Sequence, residues 1–380
     1  MTPVPARLLK TTLVDFIPYP NIQVNHANKL AIGYHLVYFP PQTRLSSLYA
    51  DGTDPLHSPG PPFTRRMWAG GNMKFLKPLK VDLSAFHLNE KIIDVQFKGE
   101  ADKQKIFVTI ERAIHQGNIP KKLTTDTDAH ILETRNIVFM REDSQSPSGG
   151  SSQLPARLLT PTKPPDYSIR VIPTPALLFR FSALTFNAHA IHLDKKFCQG
   201  IEGHRNLLVH GPLTLVLMLE VLKLFLAKTD ASKPTARPVE SIRAVEYRNL
   251  APLYAEEEMK ICVRRKTQET NAGSFDIWIE GKEGGYAVKG IVRTSIEVPH
   301  EKDAKQPSYF DEGVGRDKEI IESRDIDPNS PVVEIATRDP TIPEDEEASV
   351  GETSTGDEKI QEKNDLEDGV DEDHAPYFQR

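Results

Sequence analysis

An α+β fold in two similar halves is what this sequence predicts, on three observations. Two regions of short, β-branched and aromatic segments flank a stretch rich in Ser, Pro and Gly; the second region holds one long helix that is apolar almost all round; and further strand-like segments follow that helix. At 380 residues and 38% apolar content the chain is long enough for two modest domains, each with its own core.

In the first half, residues 31–39 (AIGYHLVYF), 73–81, 91–98, 105–112 and 132–141 read as strands, mostly of one antiparallel sheet, because each is short and bounded by turn residues. Residues 49–71 (YADGTDPLHSPGPPFTRRMWAGG) are dense in Gly and Pro and predict a long, irregular loop, a kind of segment that often carries function. Residues 142–165 have the composition of a linker. The expected organisation is therefore a degenerate first half over 1–141, a linker over 142–165, a second half carrying the chemistry over 166–300, and a tail over 301–380.

In the second half, residues 176–185 read as a strand, 212–228 as a helix, and 240–247, 257–265, 274–280 and 286–297 as an antiparallel meander. The helix opens on Gly211-Pro212, where the missing proline N–H costs nothing, and runs through Leu213, Leu215, Val216, Leu217, Met218, Leu219, Val221 and Leu222. Such a helix needs enclosure by a sheet. A curved antiparallel sheet wrapped about one helix is the hot-dog fold, and two strand-rich halves predict a tandem pair, with the helix clear only in the second.

Charge is divided unevenly. Residues 301–380 hold 25 Asp/Glu against 9 Lys/Arg, so the net −7 of the chain conceals a body of +9. A tail of that composition cannot offset its ordering entropy by burial, and it is expected to be disordered. The positive body suits an anionic ligand such as the phosphates of coenzyme A. Cys198 and Cys262 make neither a disulfide framework nor a zinc cluster, which points to a reducing compartment. The start, MTPVPARLLKTTL, has Arg7 and Lys10 with no acidic residue before Asp15, a faint match to a mitochondrial presequence that also fits a mature N-terminus. The apolar run 207–227 contains His210, Pro212, Glu220 and Lys223 and reads as a buried helix, with no membrane span expected. His189 and His192 have an H-x-x-H spacing with His204 and His210 nearby, but no Cys or carboxylate in pattern, so no metal is expected. Nucleophile elbows and phosphate- or dinucleotide-binding glycine motifs are absent from the sequence.

The segment FSALTFNAHAIHLD (181–194), followed by LLVHGPLTLVLMLE, resembles the (R)-specific hydratase motif of MaoC-like proteins, roughly S-G-D-x-N-P-hydrophobic-H and later A-H-G. Together with DGTDPLHSPGPPFTRRMWAGG and ETRNIVFMRE, it resembles the two-hot-dog hydroxyacyl-thioester dehydratase type 2 and mesaconyl-C4-CoA hydratase family over about residues 30–300. The resemblance implies a hydro-lyase acting on 3-hydroxyacyl or enoyl thioesters, in mitochondrial fatty-acid or specialised metabolism. It places His192 on the catalytic histidine as general acid/base. Asn187 stands at the aspartate position, His189 at the asparagine position and Phe186 at the glycine position. An amide orients water or thioester but accepts no proton at neutral pH, so an aspartate/histidine mechanism does not carry over intact.

Gly211, at the start of the helix, is expected to offer its N–H to the thioester oxygen. His189 or Asp194 is expected to tune His192 and line the substrate site. His210 is read as packing at the helix entrance. Arg65, Arg66 and Trp68 are candidates to grip the nucleotide phosphates and pantetheine arm, with Arg243, Arg248 and Asn249 as weaker ones. Coenzyme A or phosphopantetheine enters as part of an acyl-CoA or acyl-carrier-protein substrate, with no separate cofactor. No nucleic acid or membrane partner is expected, and a two-hot-dog chain is complete as a monomer (a pseudo-dimer) or forms a homodimer. Location is expected to be mitochondrial, otherwise cytoplasmic. A non-catalytic hot-dog binding protein and an acyl-CoA thioesterase share the fold and stay open at this point.

Overall fold

The structure, a computed structural model, describes residues 1–19, 28–100, 103–117, 128–141, 159–231, 239–268 and 272–297. The expected acidic tail and residues 142–158 of the expected linker lie outside the described residues.

Among the described residues, nine strands form one antiparallel sheet. The first half contributes β1 (Arg65–Phe75), β2 (Phe86–Lys98), β3 (Lys105–Gln116) and β4 (Ile131–Met140). The second contributes β5 (Tyr167–Val171), β6 (Val239–Asn249), β7 (Met259–Gln268), β8 (Ala272–Glu280) and β9 (Tyr286–Glu297). Their order is β2-β3-β4-β1-β6-β9-β8-β7-β5, so the two halves fuse edge to edge at β1 and β6. Gly70 pairs with Arg248 and Gly71 with Tyr247 at that seam. A Cβ on Gly70 would overlap the Tyr247 carbonyl oxygen, and one on Gly71 the Thr134 carbonyl oxygen. Only glycine lets β1 lie this close between β4 and β6.

The helices are α1 (Val4–Leu13), α2 (Pro175–Thr185), α3 (Lys195–Gly200) and α4 (Gly211–Ala231). Leu213, Leu215, Leu217, Met218, Leu219, Val221 and Leu222 of α4 are fully buried, as an apolar circumference requires. Packed against β1 and the second-half strands β5 to β8, α4 shares one core with Phe275, Ile277, Ile279 and Val292. This is the tandem hot-dog architecture expected from the sequence. The two expected sheets are one continuous sheet, and among the described residues α4 is the one long helix.

Three local expectations are corrected. Residues 31–39 are not a strand: Gly33, at φ 90°, turns the chain into a 3-10 turn over Tyr34–Val37, and the segment is apolar because those residues are buried. The strand expected at 73–81 ends at Phe75, and it begins at Arg65, inside the stretch read as loop. Residues 176–185 form α2 instead of a strand. Thr174 accepts a hydrogen bond from Leu177 N–H and proline occupies the first turn, two helix-start signals that outweigh an apolar run ambiguous between strand and helix. The N-terminal stretch forms α1, with Ala6, Leu9 and Leu13 in the main core.

The first half also buries charge. Glu133, fully buried on β4, accepts from Arg112 Nη1 at 3.0 Å and from Arg135 Nε at 2.5 Å. Burial alone would raise its pKa, but Arg135, Arg112 and His35 outweigh that and hold it at about 2.

Candidate active site

Between α2 and α4 the chain turns through Asn187, His189 and His192 and returns past Leu208 to the start of α4. Phe186, with φ 51°, ends α2, and the Asn187 side-chain oxygen accepts the His189 backbone N–H at 3.0 Å, closing a local turn. A 3-10 turn over Ala190–His192 then delivers His192 into the interior, at 7% exposure.

His192 Nδ1 lies 2.8 Å from the Leu208 carbonyl oxygen. A carbonyl accepts only, so Nδ1 carries the proton and Nε2 presents a lone pair. Burial, partly offset by the Leu208 bond and reinforced by Arg66, lowers the His192 pKa to about 4 and keeps the ring neutral. His210 stacks on it with ring centroids 3.6 Å apart, and His210 Nε2 is 2.8 Å from Ser182 Oγ. His189 meets His192 edge-on at 5.6 Å. Burial, the neighbouring His192 and Arg66 lower the His189 pKa to about 2.

The stack sets His192 beside the N-terminus of α4, since Gly211 directly follows His210. The first N–H groups of a helix have no intrahelical acceptor and carry the positive end of its dipole. A Cβ at Gly211 would come 2.8 Å from Asn249 Nδ2 and 3.2 Å from Trp68 Cβ. Trp68 is held by Tyr247 OH, which accepts its Nε1–H at 2.8 Å, and by Asn249 Nδ2, which donates to its carbonyl at 2.7 Å. Trp68 and Asn249 thus form a wall beside the helix start.

His192, His189, Asn187, Gly211 and Trp68 therefore come together. Three expected site residues have other partners. Asp194 is exposed and accepts the Phe197 N–H as the N-cap of α3, so its carboxylate does not tune His192. Arg65 is ion-paired with Glu202, at 2.7 Å from Nε, and Arg66 with Asp54 at 3.1 Å. Both guanidinium groups brace the strand and loop, partnerships between residues too distant in the chain for sequence to reveal.

His210, read as packing at the helix entrance, packs there face to face with His192. One residue missed by sequence reasoning enters the site. Asp51, from the long first-half loop, reaches His189, with Oδ2 3.5 Å from Nε2. The dense Gly/Pro loop was the available signal. No side-chain cluster among the described residues has the composition and grouping to hold a metal ion. No helix among them is long and apolar enough to cross a membrane.

The family description hydroxyacyl-thioester dehydratase type 2 matches residues 33–255. The chain is 31% identical over 262 residues to the mesaconyl-C(4)-CoA hydratase of Chloroflexus aurantiacus, covering 68% of this chain and 81% of that protein. It is 27% identical over 272 residues to the mitochondrial hydroxyacyl-thioester dehydratase type 2 of Schizosaccharomyces pombe, covering 68% and 86%. A solved MaoC-like dehydratase from Phytophthora capsici has the same fold, with a TM-score of 0.50 at 13% identity over 79% of this chain and 94% of its own. Another MaoC-like dehydratase gives 0.53 at 11% identity, over 79% and 95%.

Proposed function

Because this chain belongs to the hydroxyacyl-thioester dehydratase type 2 family, we propose that it is a hydro-lyase interconverting 3-hydroxyacyl and enoyl thioesters, with His192 as its proton-transfer group. The observation that carries the assignment is the tautomer of His192. Its Nδ1–H is fixed on Leu208 O, which leaves the lone pair on Nε2, and its ring stacks on His210, the residue before the first residue of α4.

In the dehydration direction, His192 Nε2 removes the α-proton of the 3-hydroxyacyl thioester. The Gly211 N–H and the α4 dipole stabilise the enolate oxygen as charge develops. The imidazolium then returns the proton to the C3 hydroxyl, the C–O bond breaks, and water and the enoyl thioester leave. Asn187 has its oxygen held by His189 N–H, so its amide N–H groups are what it offers to the departing or attacking water. One histidine moves the proton both ways, which is what a motif with asparagine in the aspartate position requires.

The carrier is coenzyme A or an acyl carrier protein. Names of the relatives support a mesaconyl-CoA-like or a 3-hydroxyacyl thioester and, for the S. pombe protein, a mitochondrial location. Leu9 and Leu13 are wholly buried, so mass spectrometry of the protein recovered from mitochondria is expected to find residues 4–13 retained.

Incubation with crotonyl-CoA, mesaconyl-CoA and longer enoyl-CoAs, following loss of the conjugated thioester absorbance, tests the reading. Turnover that requires His192 and releases no free thiol is expected. Thiol release would assign a thioesterase, and turnover indifferent to His192→Ala would remove the histidine from the chemistry.

A further inference from the structure

The first half carries no counterpart of the FSALTFNAHAIHLD segment, yet one of its carboxylates enters the site of the second. The loop around Asp51 is built for that approach. Asp51 Oδ1 accepts both the Thr53 N–H, at 2.9 Å, and the Thr53 hydroxyl, at 2.7 Å, in a tight turn around buried Thr53. The Asp51 carbonyl oxygen accepts the Ala190 N–H at 2.8 Å, two residues before His192. Gly52, at φ 79°, lies so close to Ala188 that a Cβ would overlap the Ala188 carbonyl oxygen. These contacts hold Asp51 Oδ2 3.5 Å from His189 Nε2, longer than an ordinary hydrogen bond, with the carboxylate mostly buried.

From this geometry we infer that Asp51 is a positioning residue of the hydro-lyase site, acting through His189. At 3.5 Å the carboxylate favours the His189 tautomer with Nε2–H toward Oδ2, because a carboxylate accepts only. His189 Nδ1 is then a lone pair, with no hydrogen bond among the described residues, ready to accept from a hydroxyl or water held by Asn187. The Asp51 charge also faces, across the His189 ring, the imidazolium that forms when His192 takes a proton. The second carboxylate absent from the Asn187 position is thereby supplied from the other half of the molecule. This role rests on the hydro-lyase reading.

Asp51→Asn separates charge from scaffold. An asparagine keeps an acceptor for Thr53 through Oδ1, so the turn persists. Its second arm becomes an N–H donor facing His189 Nε2, which forces the opposite tautomer. The expected result is a fall in kcat of at least about tenfold with KM within about twofold and an unchanged melting temperature. In ring-nitrogen NMR spectra, His189 is expected to switch from the Nε2–H to the Nδ1–H form, with Asp51→Glu restoring part of kcat and the original tautomer.

Wild-type kcat in Asp51→Asn, or an unchanged His189 tautomer, would overturn the inference. So would losses in Asp51→Asn and Asp51→Glu that track a lowered melting temperature or insolubility, because Asp51 would then be a structural brace. Failure of the wild-type protein to turn over any thioester would sink the hydro-lyase reading instead, and the NMR measurement would still decide whether Asp51 sets the His189 tautomer.

Discussion

With its pKa lowered to about 4 by burial, His192 is neutral across the ordinary pH range, and its base form is the resident state. Activity should therefore hold level from neutral pH down to about 5 and decline around pH 4, measured as kcat/KM against pH. Replacing the ring, as in His192→Ala, should lower kcat by ~10²–10⁴ with a small change in KM. The same burial makes the fold acid-sensitive. His35, His189 and His192 all have folded pKa values below the ordinary 6.5, so the unfolded chain binds more protons between those limits. Stability from these groups is complete above pH 6.5 and is lost as pH falls toward 4, which a series of melting temperatures should show. At this scale the sequence revealed His192, Asn187 and Gly211 through one motif. Asp51 stayed hidden because nothing local tells which distant carboxylate will fold against a histidine. Asp194 was misassigned because a carboxylate just after a histidine reads as its partner, although one placed before KKF is equally a helix cap.

The start of α4 is where an element, and no single side chain, shapes the chemistry. Gly211→Ala should lower kcat by ~10-fold or more while changing the melting temperature little, since the methyl meets Asn249 and Trp68 at the mouth of the site. The strand pair β3 and β4 offers the opposite case, pure stability. Glu133→Ala would leave Arg112 and Arg135 without their buried carboxylate, and a loss of ~3–5 kcal/mol in denaturant unfolding is expected. Elements with a strong period, such as α4 and the strands β3, β4 and β9, were legible nearly to their ends. Those that failed were short apolar runs. Residues 31–39 and 176–185 carry the same residue types as strands, and only Gly33 and the Thr174-Pro175 cap distinguish them. Trp68 and its neighbours were read as loop because Gly70 and Gly71 resemble turn glycines, when their function is close strand packing at the seam.

At the scale of the molecule, one sheet and one main apolar core among the described residues join the two halves. Unfolding should accordingly appear as a single cooperative transition, with fluorescence and circular dichroism midpoints coinciding. The last described strand ends at Glu297, so a chain truncated after residue 300 keeps every element of that sheet. Equal melting temperature and kcat are expected for it, and a loss of soluble protein would show that the acidic segment packs.

The seam between β1 and β6 also says which lengths in this chain can drift. The alignment of Asp51 with His189 is set by strand register and by the close approach of Gly52 to Ala188, and the covalent path between the halves takes no part in it. Extra residues inserted within 142–158, a stretch of linker composition, are therefore expected to leave that alignment and kcat unchanged. One residue inserted between Asp51 and Thr53, inside the turn that Asp51 Oδ1 closes, would shift the carboxylate off its target. For anyone grafting or permuting this scaffold, the join between the halves is the adjustable dimension, and the turn over Asp51 to Thr53 is the fixed one.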